Sequence, residues 1–129
     1  DVRRDALACC FSIFTNYFNH HTDVPNSLED LGEYYRCYAE FADGMRNRLP
    51  HSLYCLEYER LISRTEREVR ALLEFLGLPF SPTCLSPHEY SRAIYTPSAQ
   101  QVRVPIGRSG DRWRNYAAWL TSWQAPLQI

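Results

Sequence analysis

The sequence predicts an α/β fold that is mostly helical, with a single β-strand. Four stretches have the apolar spacing of amphipathic helices, whereas Leu53–Tyr58 is a short apolar run after a turn and is typical of a strand. A single strand leaves its backbone N–H and C=O groups without partners. We therefore expect its sheet partner to lie outside residues 1–129, and we expect its exposed edge to promote self-association.

The first two helices are predicted from their apolar stripes and from the residues that flank them. Residues 3–18 carry apolar side chains at helical spacing. The second helix covers residues 27–49, because Ser27 is a favourable N-cap residue, acidic residues follow it, and Pro50 prevents continuation.

The second half of the chain contains two further predicted helices separated by an irregular segment. Thr65 and Glu68 have the spacing of a capping box, and Gly77 ends that helix because glycine tolerates the left-handed conformation. Residues 79–108 hold most of the prolines and are predicted to be extended. Residues 111–120 form the last predicted helix.

Composition and charge exclude some classes of function. The chain has 129 residues, which suits one domain, and its net charge of −1 gives no overall signature of nucleic-acid or anionic-membrane binding. All fourteen basic residues are arginine, a side chain whose fork of donors suits phosphate and carboxylate oxygens. The C-terminal third is locally basic, either as a solvated face or as an anion-binding surface; its arginines are Arg92, Arg103, Arg108, Arg112 and Arg114.

The five cysteines fit neither a CxxC pair nor a dense disulfide framework. Cys9, Cys37 and Cys55 lie among apolar residues and are predicted to be buried free thiols, which favours a reducing, cytoplasmic location. The four histidines do not combine with them at metal-ligand spacing, so we predict no metal site. The apolar runs are far shorter than the ~20 residues of a membrane span.

Three segments, taken together, resemble the family of sulfotransferases that use 3′-phosphoadenosine-5′-phosphosulfate (PAPS), in particular its bacterial tetratricopeptide-linked and tyrosylprotein-like members. They are RDALACCF at residues 4–11, LEYERLI at 56–62 with RALLEFLGL at 70–78, and SAQQVRVPI at 98–106 with RWRNY at 112–116. Each motif is common by itself. Their order and spacing across most of the chain carry the resemblance.

The resemblance implies a parallel-sheet fold like that of P-loop kinases and a function in sulfuryl transfer to a hydroxyl or amine acceptor. In the family a Gly-, Ser- and Thr-rich loop near the N-terminus binds the 5′-phosphosulfate through backbone N–H groups. No such loop occurs in residues 1–129, which are therefore expected to be the C-terminal part of one sulfotransferase domain. The isolated chain is expected to be inactive, and no metal is implied.

The resemblance also assigns candidate donor-binding residues. Tyr58 matches a donor-contacting tyrosine after a strand, although a core tyrosine is the structural alternative. Ser98, Gln101 and Arg103 open the segment that folds over the nucleotide in relatives. Arg112, before Trp113, matches a basic residue directed at the phosphates, although a solvated helix charge is its alternative.

Two positions depart from the family pattern at the expected 3′-phosphate site. The family has an arginine and a serine eight residues apart, where this sequence has Asp1 and Cys9. A carboxylate would repel phosphate, and a thiol is a weaker hydrogen-bond donor than a hydroxyl. The departures favour a degenerate copy of the enzyme, or alternatively a non-catalytic helical interaction module derived from the same fold.

Overall fold

A computed structural model describes residues 1–16, 24–89, 103–106 and 111–120. Helices dominate this part of the chain, and two very short strands accompany them. The elements in chain order are β1 Val2–Arg3, α1 Ala6–Thr15, α2 Leu28–Arg48, β2 Leu56–Glu57, α3 Tyr58–Ser63 and α4 Thr65–Phe75. Short 3₁₀ segments cover Pro82–Leu85, Pro87–Glu89 and Asp111–Trp119.

The two strands form a parallel pair, with Val2 opposite Leu56. The ladder extends one residue earlier, because the backbone nitrogen of Asp1 donates to the Tyr54 carbonyl at 3.0 Å and Leu56 N donates to Asp1 O at 2.9 Å. The prediction that the strand has no partner within the chain is therefore wrong. The strand is also shorter than Leu53–Tyr58, because Tyr58 already begins α3.

The first helix starts later than the predicted residue 3. The Asp5 carboxylate accepts a hydrogen bond from the Ala8 N–H at 2.8 Å and caps α1, so the residues before it are free to form β1. Residues 17 and 18 of the predicted helix lie outside the described residues. The predicted cap of α2 is confirmed, since Ser27 Oγ accepts from Asp30 N at 3.0 Å.

The apolar faces of α1 and α2 meet in a small core. Apolar residues spaced three and four apart on α1 place their side chains on one face of that helix, which packs against α2. The C-terminal 3₁₀ segment closes the core from the other side, with Trp113 packed against it. The buried members of this core are Leu7, Cys10, Phe11, Leu31 and Leu120.

Helix α3 was not predicted, and it changes the start of α4. Only Arg64 separates the two helices, and the Thr65 hydroxyl donates to the Ile62 carbonyl at 3.5 Å instead of capping its own helix. The predicted capping box is therefore wrong, because the Glu68 N–H donates to the Arg64 carbonyl at 3.1 Å and the Thr65 hydroxyl bonds to a carbonyl at the end of α3. The glycine end is confirmed: Gly77 has φ +66°, and Leu78 N donates to Leu73 O at 2.8 Å.

The last predicted helix is a 3₁₀ helix, Asp111–Trp119, and not an α-helix. Its period of three residues stacks Trp113 above Tyr116 on one side. Trp113 packs against the core, and the Tyr116 ring lies 5.1 Å from the Phe11 ring, centroid to centroid.

All five cysteines are free thiols, but their exposure differs from the prediction. Cys10 is buried, Cys9 and Cys55 are half-buried, and Cys37 is exposed, so its predicted burial is wrong. Cys37 lies on α2 beside Glu33, whose carboxylate it faces at 3.8 Å. That face of the helix points away from the core.

We expect thiol labelling at pH 8 to separate these cysteines. Burial raises the pKa of the Cys10 thiol to about 12, so roughly one thiol in ten thousand is ionised at that pH. Cys37 and Cys84 are exposed and should react first with iodoacetamide, while Cys10 should react only in denaturant. Peptide mass spectrometry over time measures this order; alkylation of Cys10 at the rate of Cys37 in the native protein would contradict it.

Candidate functional site

The carboxyl ends of β1 and β2 meet at one edge of the sheet because the strands are parallel. Arg4 and Asp5 follow β1 at this edge, and Tyr58 and Glu59 follow β2. In open α/β sheets, ligands bind outside the carboxyl ends of the strands. This edge, which we call the carboxyl edge, is therefore the candidate site.

Side chains from the two strand ends contact each other at the carboxyl edge. The guanidinium carbon of Arg4 lies 5.1 Å from the centroid of the Tyr58 ring, a cation–π distance. The Asp5 N–H donates to the Glu59 carboxylate at 2.9 Å. The Tyr35 hydroxyl of α2 donates to the Arg4 carbonyl at 2.7 Å, so the backbone of Arg4 is fixed from a third element.

Tyr58 is half-buried and lies next to a guanidinium, outside the apolar core cluster. Tyr58 directly follows β2, as the resemblance requires of the donor-contacting tyrosine, and its contact with the donor stays a prediction.

A cavity of about 220 Å³ opens beside Arg4, between β1, α1 and α2. Its wall is mostly apolar, with three tyrosine rings from α2 and the Cys9 thiol from α1. Burial raises the pKa of the Cys9 thiol, while the positive charge of Arg4 acts to lower it. Arg4 and Cys9 are thus electrostatic neighbours. The residues that line this cavity include Val2, Arg4, Cys9, Tyr34, Tyr35 and Tyr38.

Asp1 does not direct an unpaired charge at this cavity. Its carboxylate accepts from Arg3 Nε at 2.9 Å and from the Tyr38 hydroxyl. Arg3 also donates to the Asp43 carboxylate at 2.6 Å, which lowers the pKa of Asp43. The Asp43 contribution to stability is present above the unfolded carboxyl pKa and is lost as pH falls. The negative charge of Asp1, which was expected to repel phosphate, is balanced by Arg3 in a hydrogen-bond network that connects β1 to α2.

Among the described residues, the C-terminal candidates Arg103 and Arg112 make no hydrogen bond, ion pair or ring contact with the residues of the carboxyl edge. Arg103 and Arg112 are both exposed, and neither guanidinium forms an ion pair with a described residue. Arg114, two residues after Arg112, lies over the Trp113 ring at 5.0 Å. Ser98 and Gln101 lie outside the described residues.

The resemblance includes Arg4 in its first motif but would place Arg3 or Arg4 near the phosphate only in a shifted register whose spacing fails, so the sequence gives Arg4 no role at this edge. Arg4 follows β1 just as Tyr58 follows β2. This correspondence could be seen in the sequence only if residues 2 and 3 were known to form a strand. Among the described residues, no three His, Cys, Asp or Glu side chains are grouped to hold a metal ion. No helix within the described ranges is long and apolar enough to cross a membrane.

Two comparisons with known proteins gave matches, and the family model among them agrees with the resemblance seen in the motifs. A family model described as "Sulfotransferase family" matches residues 1–82, which is more than half of the chain. An uncharacterized protein of Aquifex aeolicus (strain VF5) is 40% identical over 73 residues. The match covers 56% of this chain but 10% of that relative, so the chain spans a small part of its length. The region that the family model matches contains both strands and the carboxyl edge, and the chain belongs to the sulfotransferase family.

Proposed function

We propose that the chain is the C-terminal part of a sulfotransferase domain with a P-loop-kinase-like sheet, and that it holds the nucleotide end of PAPS at the carboxyl edge. The observation that carries this proposal is the position of Tyr58, which lies at the shared end of two parallel strands beside the N-terminus of α1. The side chains there include a cation and an aromatic ring, which fit phosphate and a flat base. A cytoplasmic location belongs to the same proposal.

The proposed donor-binding residues divide between the edge and the C-terminal segment. Tyr58 contacts the nucleotide from the edge. Ser98, Gln101 and Arg103 fold over it, and Arg112 supplies a positive charge to its phosphates. The 5′-phosphosulfate itself is held outside residues 1–129, since the sequence contains no glycine-rich anion-binding loop.

The proposed reaction is an in-line displacement at sulfur. The oxygen or nitrogen of the acceptor forms a bond to sulfur, and the bond from sulfur to the phosphate oxygen breaks. Negative charge grows on the departing phosphate, where fixed cations and N–H donors stabilise it. A general base takes the acceptor proton. This chain would contribute stabilisation of the leaving nucleotide, with the base supplied from elsewhere.

The second candidate function is a non-catalytic interaction module that keeps the core of the fold. The helix α4 favours it, because its apolar side chains pack only partially and none of its residues is buried. Chromatography on immobilised adenosine 3′,5′-bisphosphate separates the two. Retention of the chain, with elution by the free bisphosphate, supports donor binding. Elution of the chain at the same volume as a control protein that does not bind the column supports the non-catalytic interaction module.

We expect the 129-residue chain to show no sulfuryl transfer, because the anion-binding loop and the base are not among its residues. Purified chain is incubated with ³⁵S-labelled donor and a panel of phenols, sugars, amines and tyrosine peptides. A complete sulfotransferase assayed in parallel shows that the donor is competent. Product above the buffer background would refute this prediction.

A further inference from the structure

Helix α2 has a second apolar face, on the side that points away from the core. Its first face carries Leu31, Ala39 and Ala42, which are buried. The second face carries Tyr34 and Phe41, whose side chains are 52% and 70% exposed. A helix at the surface normally presents polar residues on the face opposite its core, so two large exposed rings on that face indicate a surface that binds another protein segment.

This second face has the spacing of a coiled-coil seam. Exposed residues follow one another along α2 in alternate steps of four and three residues, which keeps them on one side of the helix because an α-helix has ~3.6 residues per turn. A row of this kind packs against a partner helix. We call it the α2 seam, and its members are Asp30, Tyr34, Cys37, Phe41, Gly44 and Arg48.

The charges at the two ends of the α2 seam favour a second copy of the chain as the partner. Asp30 at one end and Arg48 at the other are both exposed, and neither forms an ion pair with another described residue. Two copies that pack antiparallel bring Asp30 of each helix opposite Arg48 of the other, so opposite charges meet at both ends. Parallel packing would instead place each charge against the same charge.

The middle of the α2 seam fits the same antiparallel arrangement, because its members are placed symmetrically about the centre of the seam. Tyr34 lies opposite Gly44 of the second copy. The space beside Gly44 is open, since no neighbouring heavy atom of the described residues lies within 4 Å of a Cβ position there, and a tyrosine ring can lie across it. Cys37 lies opposite Phe41, and a polarizable sulfur beside an aromatic ring is a favourable contact.

One pair of like charges limits the strength of this packing. Glu40 flanks the α2 seam near its centre, where two antiparallel copies bring the same carboxylate close to itself. Arg36 lies one turn earlier on the same helix and offsets part of this repulsion. Because the seam is also short, with α2 about 31 Å long, we expect the association to be weak and to depend on concentration.

We propose that the α2 seam is the interface of a homodimer, in which two copies of α2 pack antiparallel with Asp30 of each copy facing Arg48 of the other. The seam contains none of the proposed donor-binding residues. Dimerisation therefore goes beyond the proposed function and does not depend on it.

Sedimentation equilibrium of the 129-residue chain, from micromolar to millimolar concentration, tests the proposal. We expect the mean mass to rise from the 15.1 kDa of one chain towards twice that value. Phe41→Glu should weaken the dimer about a hundredfold, because the dimer contains the substitution twice and each lost apolar contact accounts for about a factor of ten. A wild-type chain that keeps the mass of one chain at every concentration would overturn the proposal.

Leu78→Glu is the matched control, because Leu78 is also an exposed apolar residue, at 53%, but lies after α4. This variant should dimerise like wild type. Far-ultraviolet circular dichroism compares the folding of each variant with that of wild type. Equal loss of association in Phe41→Glu and Leu78→Glu would indicate non-specific contact through apolar surface and would reject the α2 seam.

Charge reversal tests the direction of the packing. Arg48→Glu places two carboxylates together at each end of the dimer and should weaken it. Adding Asp30→Arg to that variant restores opposite charges, so the double variant should associate more strongly than Arg48→Glu alone. A folded double variant that associates no better than Arg48→Glu would exclude the antiparallel arrangement.

The thiol of Cys37 provides a second measurement, because it lies in the α2 seam whereas the exposed Cys84 lies outside α2. Alkylation of Cys37 by iodoacetamide should slow as the chain concentration rises, while the rate at Cys84 stays constant. In dilute solution both thiols should react before Cys10. A Cys37 rate that is the same at all concentrations, in a chain that dimerises, would place the interface elsewhere.

Discussion

Replacing Leu31 with alanine is expected to lower the free energy of unfolding by about 2–5 kcal/mol, the range for deleting a fully buried leucine side chain. Leu31 has no exposed surface and lies in the five-residue core between α1 and α2. The Cys10 thiol also donates to its carbonyl at 3.5 Å, so the site is closely packed from both helices. Because the core is small, few neighbouring side chains can move to fill the cavity that Leu31→Ala would leave.

Urea denaturation followed by circular dichroism measures this loss. Leu49→Ala is the matched control, because Leu49 is 46% exposed at the end of α2 and should change stability by less than about 0.5–1 kcal/mol. Leu31→Met keeps most of the volume and should cost less than about 1.5 kcal/mol. Equal losses for Leu31→Ala and Leu49→Ala would show that the α1–α2 interface does not stabilise the chain.

Features that depend on neighbouring residues could be predicted from the sequence. Ser27 caps α2 through a donor three residues later, and Gly77 ends α4 through its own backbone conformation. The start of α1 could have been predicted in the same way, since Asp5 is a favourable N-cap residue. The Thr65 capping box failed because α3, an unpredicted helix, ends one residue before it.

Features that depend on distant residues could not be predicted in this way. Two residues are too few to show alternation, and β1 pairs with residues more than fifty positions later in the chain. Without β1, the position of Arg4 beside Tyr58 could not be predicted, because it depends on the parallel arrangement of the two strands. Tyr58 is a candidate through the family resemblance alone, because neither its spacing nor its chemistry distinguishes it from a core tyrosine in the sequence.

Arg112 and Arg114, which flank Trp113, provide a test of the proposed donor-binding residues in the C-terminal segment. Trp113 is half-buried against the core and fixes the start of the 3₁₀ helix, which leaves Arg112 exposed before it. Arg114 is exposed as well, but its guanidinium lies over the Trp113 ring at 5.0 Å. Each residue of a 3₁₀ helix is rotated by ~120° from the one before it. Arg112 and Arg114 are two residues apart and therefore project in different directions.

We expect Arg112→Ala to weaken binding of adenosine 3′,5′-bisphosphate about tenfold to a hundredfold in a protein that joins this chain to the complete anion-binding loop. The reason is the loss of a charge-assisted hydrogen bond to phosphate, worth about 1.5–3 kcal/mol. Arg114→Ala should change the affinity little, because Arg114 projects to a different side of the helix from Arg112. Isothermal titration of both variants at one salt concentration measures the difference. Equal losses would indicate diffuse attraction by a basic surface and would remove Arg112 from the donor-binding residues.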